Sequence, residues 1–177
     1  MKFVPTVLPD TFVIAPELLE DARGFFARIW CQQEAAAHGL YPTWVQSNIS
    51  FNRTCGTLRG MHYQAEPAAE SKLVRCTRGA LYDVVLDLRP VSPTYMRWVA
   101  VELTADNRLM LYVPEGCAHG FQTLEDNTEI AYHMSTFYAP ACASGVRWND
   151  PAFSICWPLP VTIIADRDRQ YPDYTAM

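Results

Sequence analysis

The stretch "KLVRCTRGALYDVVLDL", residues 72–88, decides how the rest of the chain is read. Two runs rich in Leu and Val, 72–77 and 80–88, meet at the turn Thr77-Arg78-Gly79. Runs this short, bounded by a glycine turn, read as β-strands.

The same pattern recurs on both sides. Upstream lie "TFVIA" (11–15), "GFFARIW" (24–30), "TWVQSNISF" (43–51) and "TLRGMHYQ" (57–64). Downstream lie "RWVAVEL" (97–103), "RLMLYVP" (108–114), "HGFQTLE" (119–125) and "EIAYHMS" (129–135). "NRTCG" and "ADNR" supply turn chemistry between them. One helical insert, "CQQEAAAHGL" (31–40), ends at Gly39. Many short strands around one helix predict an all-β fold, and their number suits a double-sheet jelly roll. From about residue 139 the periodicity fades into "WNDPAFSICWPLP" (148–160). That segment is expected to be loop and short helix packed over one end of the barrel, leaving 1–177 as a single domain.

A chain of 177 residues can bury about 70% of its unfolded surface. Half its residues are hydrophobic, with five Trp and nine Tyr, which is a globular composition. A net charge of −5 argues against a nucleic-acid partner but leaves room for a local basic pocket for a phosphorylated small molecule. The start, "MKFVPTVLPD", has no long apolar run, so neither a signal peptide nor a membrane span is expected. Six cysteines without a CxxC pair fit reduced thiols and a cytoplasmic location.

Of four histidines, His62 in "LRGMHYQ" and His119 in "PEGCAHGF" sit in suggestive contexts, whereas His38 and His133 read as packing residues. His62 has three readings: a packed core histidine, a metal ligand or an acid–base catalyst. Cupin-type jelly rolls often bind a metal through an HxH strand, a Glu and a PxGxxH segment. Pro114–His119 supplies the last piece, but the position two beyond His62 is Gln64, and an amide is a poor replacement for imidazole. A barrel without a metal is therefore expected. Gln46, Asn48 and Ser50 alternate, so they share a face that either lines a pocket or meets solvent. Lys72, Asp83, Asp87, Glu129 and Tyr132 stand in or beside apolar runs; any that point inward must be paired or serve a ligand. Strict alternation sets Arg59 on the face opposite His62, unless Gly60 hosts a bulge.

In order and spacing, "DARGFFARIW", "QSNISFNRTCGTLRGMHYQ", "KLVRCTRGALYDVVLDLRP", "SPTY", "VPEGCAHGFQTLED", "AYHMSTFY" and "WNDPAFSICWP" resemble the dTDP-4-dehydrorhamnose 3,5-epimerase family, over roughly residues 21–168. The resemblance implies a cupin-type jelly roll without metal or cofactor. It also implies an isomerase acting on a nucleotide-linked 4-keto-6-deoxyhexose. Such enzymes invert carbons flanking a ketone through an enolate, which needs a base and an acid on opposite faces of the sugar. Matched motif to motif, His62 would be the base and Asp168 its partner carboxylate. Tyr132 would be the acid, and Lys72 would stabilise the enolate. Arg59 and His119 would flank sugar and diphosphate, Tyr138 the hexose, and Gln46 and Asn48 the nucleotide or sugar. Family members are homodimers with an exchanged N-terminal strand, so Arg23 and Phe26 would complete a partner's pocket. Arg28, where the family usually has a carboxylate, and Cys117, where it has an aromatic, depart from the pattern and leave the nucleotide open. Inversion of C3 alone or C5 alone, a metal-dependent cupin dioxygenase or isomerase, and a catalytically silent sugar-nucleotide module are the alternatives.

Overall fold

The computed structural model describes residues 1–40 and 43–175. The strands are β1 (Lys2–Pro5), β2 (Phe12–Ala15), β3 (Leu18–Asp21), β4 (Gly24–Ala27), β5 (Gln46–Asn52), β6 (Thr57–Gln64), β7 (Lys72–Arg78), β8 (Ala80–Asp87), β9 (Trp98–Thr104), β10 (Met110–Val113), β11 (Cys117–Thr123), β12 (Thr128–Met134), β13 (Ala143–Gly145) and β14 (Ile163–Ile164). Among the described residues there are also two short helices, α1 (Gln32–Ala36) and α2 (Asp166–Arg169). One sheet runs β1-β2-β10-β7-β12-β5 and the other β13-β6-β11-β8-β9, with β14 parallel to β6; β3 and β4 form a hairpin of their own. The fold is the all-β double-sheet jelly roll expected from the strand pattern.

The two runs of residues 72–88 do not pair with each other. Gly79, at φ +74°, turns the chain from the first sheet (β7) into the second (β8). A Cβ there would come within 2.6 Å of Thr128 Oγ1, so the crossing requires glycine. Val74 and Cys76 then meet Leu81 and Val85 across the sandwich, in one core with Leu103, Leu111 and Ile130.

Both runs are apolar on both faces because each sheet is covered outside as well. Ala35 of α1 packs on Leu73 and Met110 of the first sheet, flanked by Trp30 and Trp44. Phe153, Ile155 and Trp157 from the C-terminal segment pack on Val84 and Leu86 of the second. Burial of each Leu, Ile, Val, Met or Phe among them contributes about 1.5–3 kcal/mol, so these covering layers stabilise the fold as the inner core does.

The C-terminal segment is more regular than its sequence suggested. Besides α2 it contributes β13 and β14, both bonded to the edge of β6 that β11 leaves unpaired. Buried backbone groups on that edge need partners, and segments of two or three residues supply them without any readable periodicity. No helix among the described residues is long and apolar enough to cross a membrane.

Candidate active site

The second sheet brings His62 and Arg59 to its inner face by breaking the strand's alternation. On β11, His119 pairs with His62 and Phe121 with Arg59, so two residues of β6 oppose the single Gly120. The extra residue forms a bulge at Gly60 (φ +137°), where a Cβ would lie 2.5 Å from Gly120 Cα. Arg59 and His62 consequently line one cavity. The bulge that glycine made conceivable is what resolves the conflict with strict alternation.

His62 Nε2 lies 2.7 Å from Asp168 Oδ1 on α2, and the N–H of Gly60 donates to Asp168 Oδ2 at 3.1 Å. The carboxylate can only accept, so Nε2 carries the proton and Nδ1 is left as the basic nitrogen. Asp168 is 2% exposed. Burial alone would raise it, but the hydrogen bond and charge of His62, the Gly60 N–H and the Arg167 charge hold its carboxyl below the ordinary value. Arg167 Nη2 stands 3.3 Å from His62 Nε2. Since a guanidinium cannot accept and Nε2–H faces Asp168, this is an electrostatic contact with the pair.

The first sheet forms the opposing wall. Tyr132 on β12 sits between Val74 and Asn48 of its neighbouring strands. Burial first, then the Glu70 charge, pushes its phenol up, with Arg59 opposing. It therefore holds its proton at neutral pH. Lys72 Nζ pairs with Glu70 Oε1 at 2.9 Å, both side chains buried. Gln46, Asn48 and Ser50 turn out to line the cavity, as does Tyr138. Gln46 Nε2 donates to Asn48 Oδ1 at 3.1 Å, and its Oε1 accepts the Tyr138 N–H at 3.1 Å. Arg59 Nε donates to Asn52 Oδ1 at 2.7 Å. His119 Nε2 meets Asp83 Oδ1 at 2.6 Å, a second imidazole–carboxylate pair facing the same space. The cavity measures about 580 Å³.

Gln64 is committed elsewhere: Nε2 donates to the Ala68 and Phe137 carbonyls, and Oε1 accepts the Ala139 N–H. Among the described residues no group of three or more His, Cys, Asp or Glu side chains is placed to hold a metal ion. His38 stacks on Phe3 and His133 on Trp44, the packing roles expected of them. Arg23 and Phe26 do not reach the cavity of their own chain. They stand on the β3–β4 hairpin, 89% (side chain) and 69% exposed, with Arg23 paired to Asp21. Arg28 is bound to Glu34 of α1, which also holds the N-terminal amine. Cys117 is a core residue away from the cavity, its thiol pushed up to about 12 by burial.

This two-sheet arrangement can be set beside known proteins. The sequence profile described as dTDP-4-dehydrorhamnose 3,5-epimerase matches residues 5–176. The chain belongs to the dTDP-4-dehydrorhamnose 3,5-epimerase family. It is 41% identical over 177 residues to the enzyme of that name from Sinorhizobium fredii, covering 97% of this chain and 89% of the relative. The structure of the Bacillus anthracis epimerase with TDP and PPi bound superposes with a TM-score of 0.94 at 39% identity, over 98% of this chain and 99% of that one. A 3'-monoepimerase from Streptomyces bikiniensis in complex with dTDP-quinovose gives 0.88 at 32% identity, over 96% and 86%.

Within this epimerase, the cavity residues Glu70 and Arg167 were not singled out in the sequence, and Asp83 was named only as a group that must be paired or serve a ligand if it points inward. Asp83 alternates with Leu81 and Val85, so its inward direction was legible but its His119 partner was not. Glu70 stands two residues before Lys72 in the loop that leads into β7, so its nearness to the lysine was legible but its inward direction was not. Arg167 precedes Asp168, and only the placement of α2 against β6 shows that it reaches His62.

Proposed function

We propose that the protein epimerises a dTDP-linked 4-keto-6-deoxyhexose at the carbons flanking its ketone, through an enolate and without a metal. One observation carries this reading: an imidazole–carboxylate pair on one sheet faces a protonated phenol on the other across a single cavity. His62 Nδ1 takes the proton from carbon, and Asp168 stabilises the imidazolium that forms. Negative charge develops on the ketone oxygen, where Lys72 supplies positive charge. Tyr132 then delivers a proton from the opposite face, which inverts the centre. Arg59, Arg167 and His119 supply the positive charge or donors that a diphosphate and sugar need.

The same reading includes a homodimer in the cytoplasm. β5 is an open edge carrying exposed Ile49 and Phe51, and the β3–β4 hairpin exposes Leu19 and Phe26. Laying the partner's hairpin over that edge covers both apolar groups and carries Arg23 and Phe26 to the nucleotide.

Incubation with dTDP-4-keto-6-deoxyglucose in deuterated water, followed by NMR, tests the reaction. Deuterium is expected at C3 and C5 with formation of dTDP-4-keto-rhamnose. Exchange at one position alone would reduce the proposal to a monoepimerase, and no exchange at either would refute it.

A further inference from the structure

Around the cavity, Ser50 Oγ and two carboxylate oxygens are buried without a hydrogen-bond partner among the described residues; Asp83 Oδ2 belongs to a fully buried residue that does not line the cavity, which leaves Glu70 as the half-used carboxylate that a ligand can reach. Glu70 Oε1 holds Lys72 Nζ at 2.9 Å, whereas Oε2 is buried and meets no hydrogen-bond partner among the described residues. The residue is 7% exposed and lines the cavity. A buried carboxylate oxygen left unpaired is destabilising, so a donor from a ligand is the natural occupant of the space before it.

The chemistry of that donor is restricted. A diphosphate offers only acceptors and negative charge, and a ketone offers only an acceptor. Glu70 is bound to Lys72 at 2.9 Å and lines the same cavity as Tyr132, and these are the two groups that the proposed reaction sets at the hexose. In a nucleotide-linked 4-keto-6-deoxyhexose the available donors there are the hydroxyls on C2 and C3. We infer that Glu70 is a substrate-recognition residue: its Oε2 accepts a hydrogen bond from a ring hydroxyl of the hexose, while its Oε1 holds the Lys72 ammonium towards the same ring. The inference rests on the nucleotide-sugar reading of the site. It makes one carboxylate both a selector for a hydroxylated sugar and the tether of the cation that meets the enolate.

Calorimetric titration separates this from a structural role. Wild type and Glu70→Gln are titrated with dTDP, with the ketone-free dTDP-6-deoxyglucose, and with its 2-deoxy and 3-deoxy analogues. Wild type is expected to bind the parent sugar about 10–100-fold more tightly than one deoxy analogue, the range for a charge-assisted hydrogen bond. Glu70→Gln, a near-isosteric change, is expected to weaken the parent sugar by a similar factor and reduce that discrimination to about threefold or less. Its dTDP affinity should stay within about threefold of wild type, since the nucleotide lacks the hexose. Full discrimination retained in Glu70→Gln, or an equal loss for dTDP and sugar, would overturn the inference while leaving the epimerase reading intact. A wild-type protein that binds neither dTDP nor the sugar would refute the nucleotide-sugar reading and this inference with it.

Discussion

Replacing Asp168 with Asn probes the base more sharply than removing His62, because the imidazole stays in place. Asp168 accepts from two donors at once, His62 Nε2–H at 2.7 Å and the Gly60 N–H at 3.1 Å. An amide has one acceptor oxygen, so both donors cannot be served. If the oxygen faces Gly60, the NH2 group confronts Nε2 and drives the imidazole to the tautomer protonated on Nδ1, which is no longer a base towards the cavity. If the oxygen faces Nε2, the NH2 group opposes the Gly60 N–H and the bulge loses its anchor. Either way the imidazolium loses a buried negative partner. Removing the charge from such a bond costs about 2–4 kcal/mol in the transition state, or about 30–1000-fold in kcat. Asp168 lies behind His62 and out of reach of the substrate, so KM should hold within about threefold. Single-turnover kinetics and carbon-bound deuterium exchange measure both. A kcat within threefold of wild type, or a loss confined to KM, would refute the assignment of Nδ1 as the base.

Tyr132→Phe should retain deuterium wash-in while losing net inversion, since proton removal from the His62 face survives; NMR that finds normal inversion would sink the acid role. Gly60→Ala sets a Cβ 2.5 Å from Gly120 Cα at a φ of +137°. It is expected to lower stability by about 2–4 kcal/mol in a denaturant titration and to depress activity, because Arg59 and His62 no longer share a face. In acid, Asp87 is a stability element. Burial opposes its ionisation, but Arg89, Ser92, Thr94 and the Arg89 N–H lower its pKa from 3.8 to about 2. Because the folded value lies below the unfolded one, the stabilisation is complete above pH 3.8 and is lost as pH falls through 2. It amounts to about 2 kcal/mol, and Asp87→Asn should flatten that part of the pH–stability curve.

The layers of this protein were legible in its sequence because strand length and turn chemistry are local. The runs 57–64, 72–77 and 80–88 became β6, β7 and β8 with little adjustment at their ends. The turn glycines carried the bends, and the motif order carried the family. Local pattern could also narrow His62, since Gln64 broke the metal spacing. Three things lay beyond it. That β7 and β8 face each other from different sheets depends on Gly79 crossing the sandwich and on which strands lie beside each other afterwards. That Arg59 and His62 share a wall depends on a bulge whose register is set by β11. That Asp168 and Arg167 reach His62, and that Glu70 keeps an unfilled oxygen beside Lys72, depends on side chains from distant segments meeting in one buried space. Short-range sterics and hydrophobic period write the strands into the sequence. Distances between residues a hundred positions apart are written only by the packing.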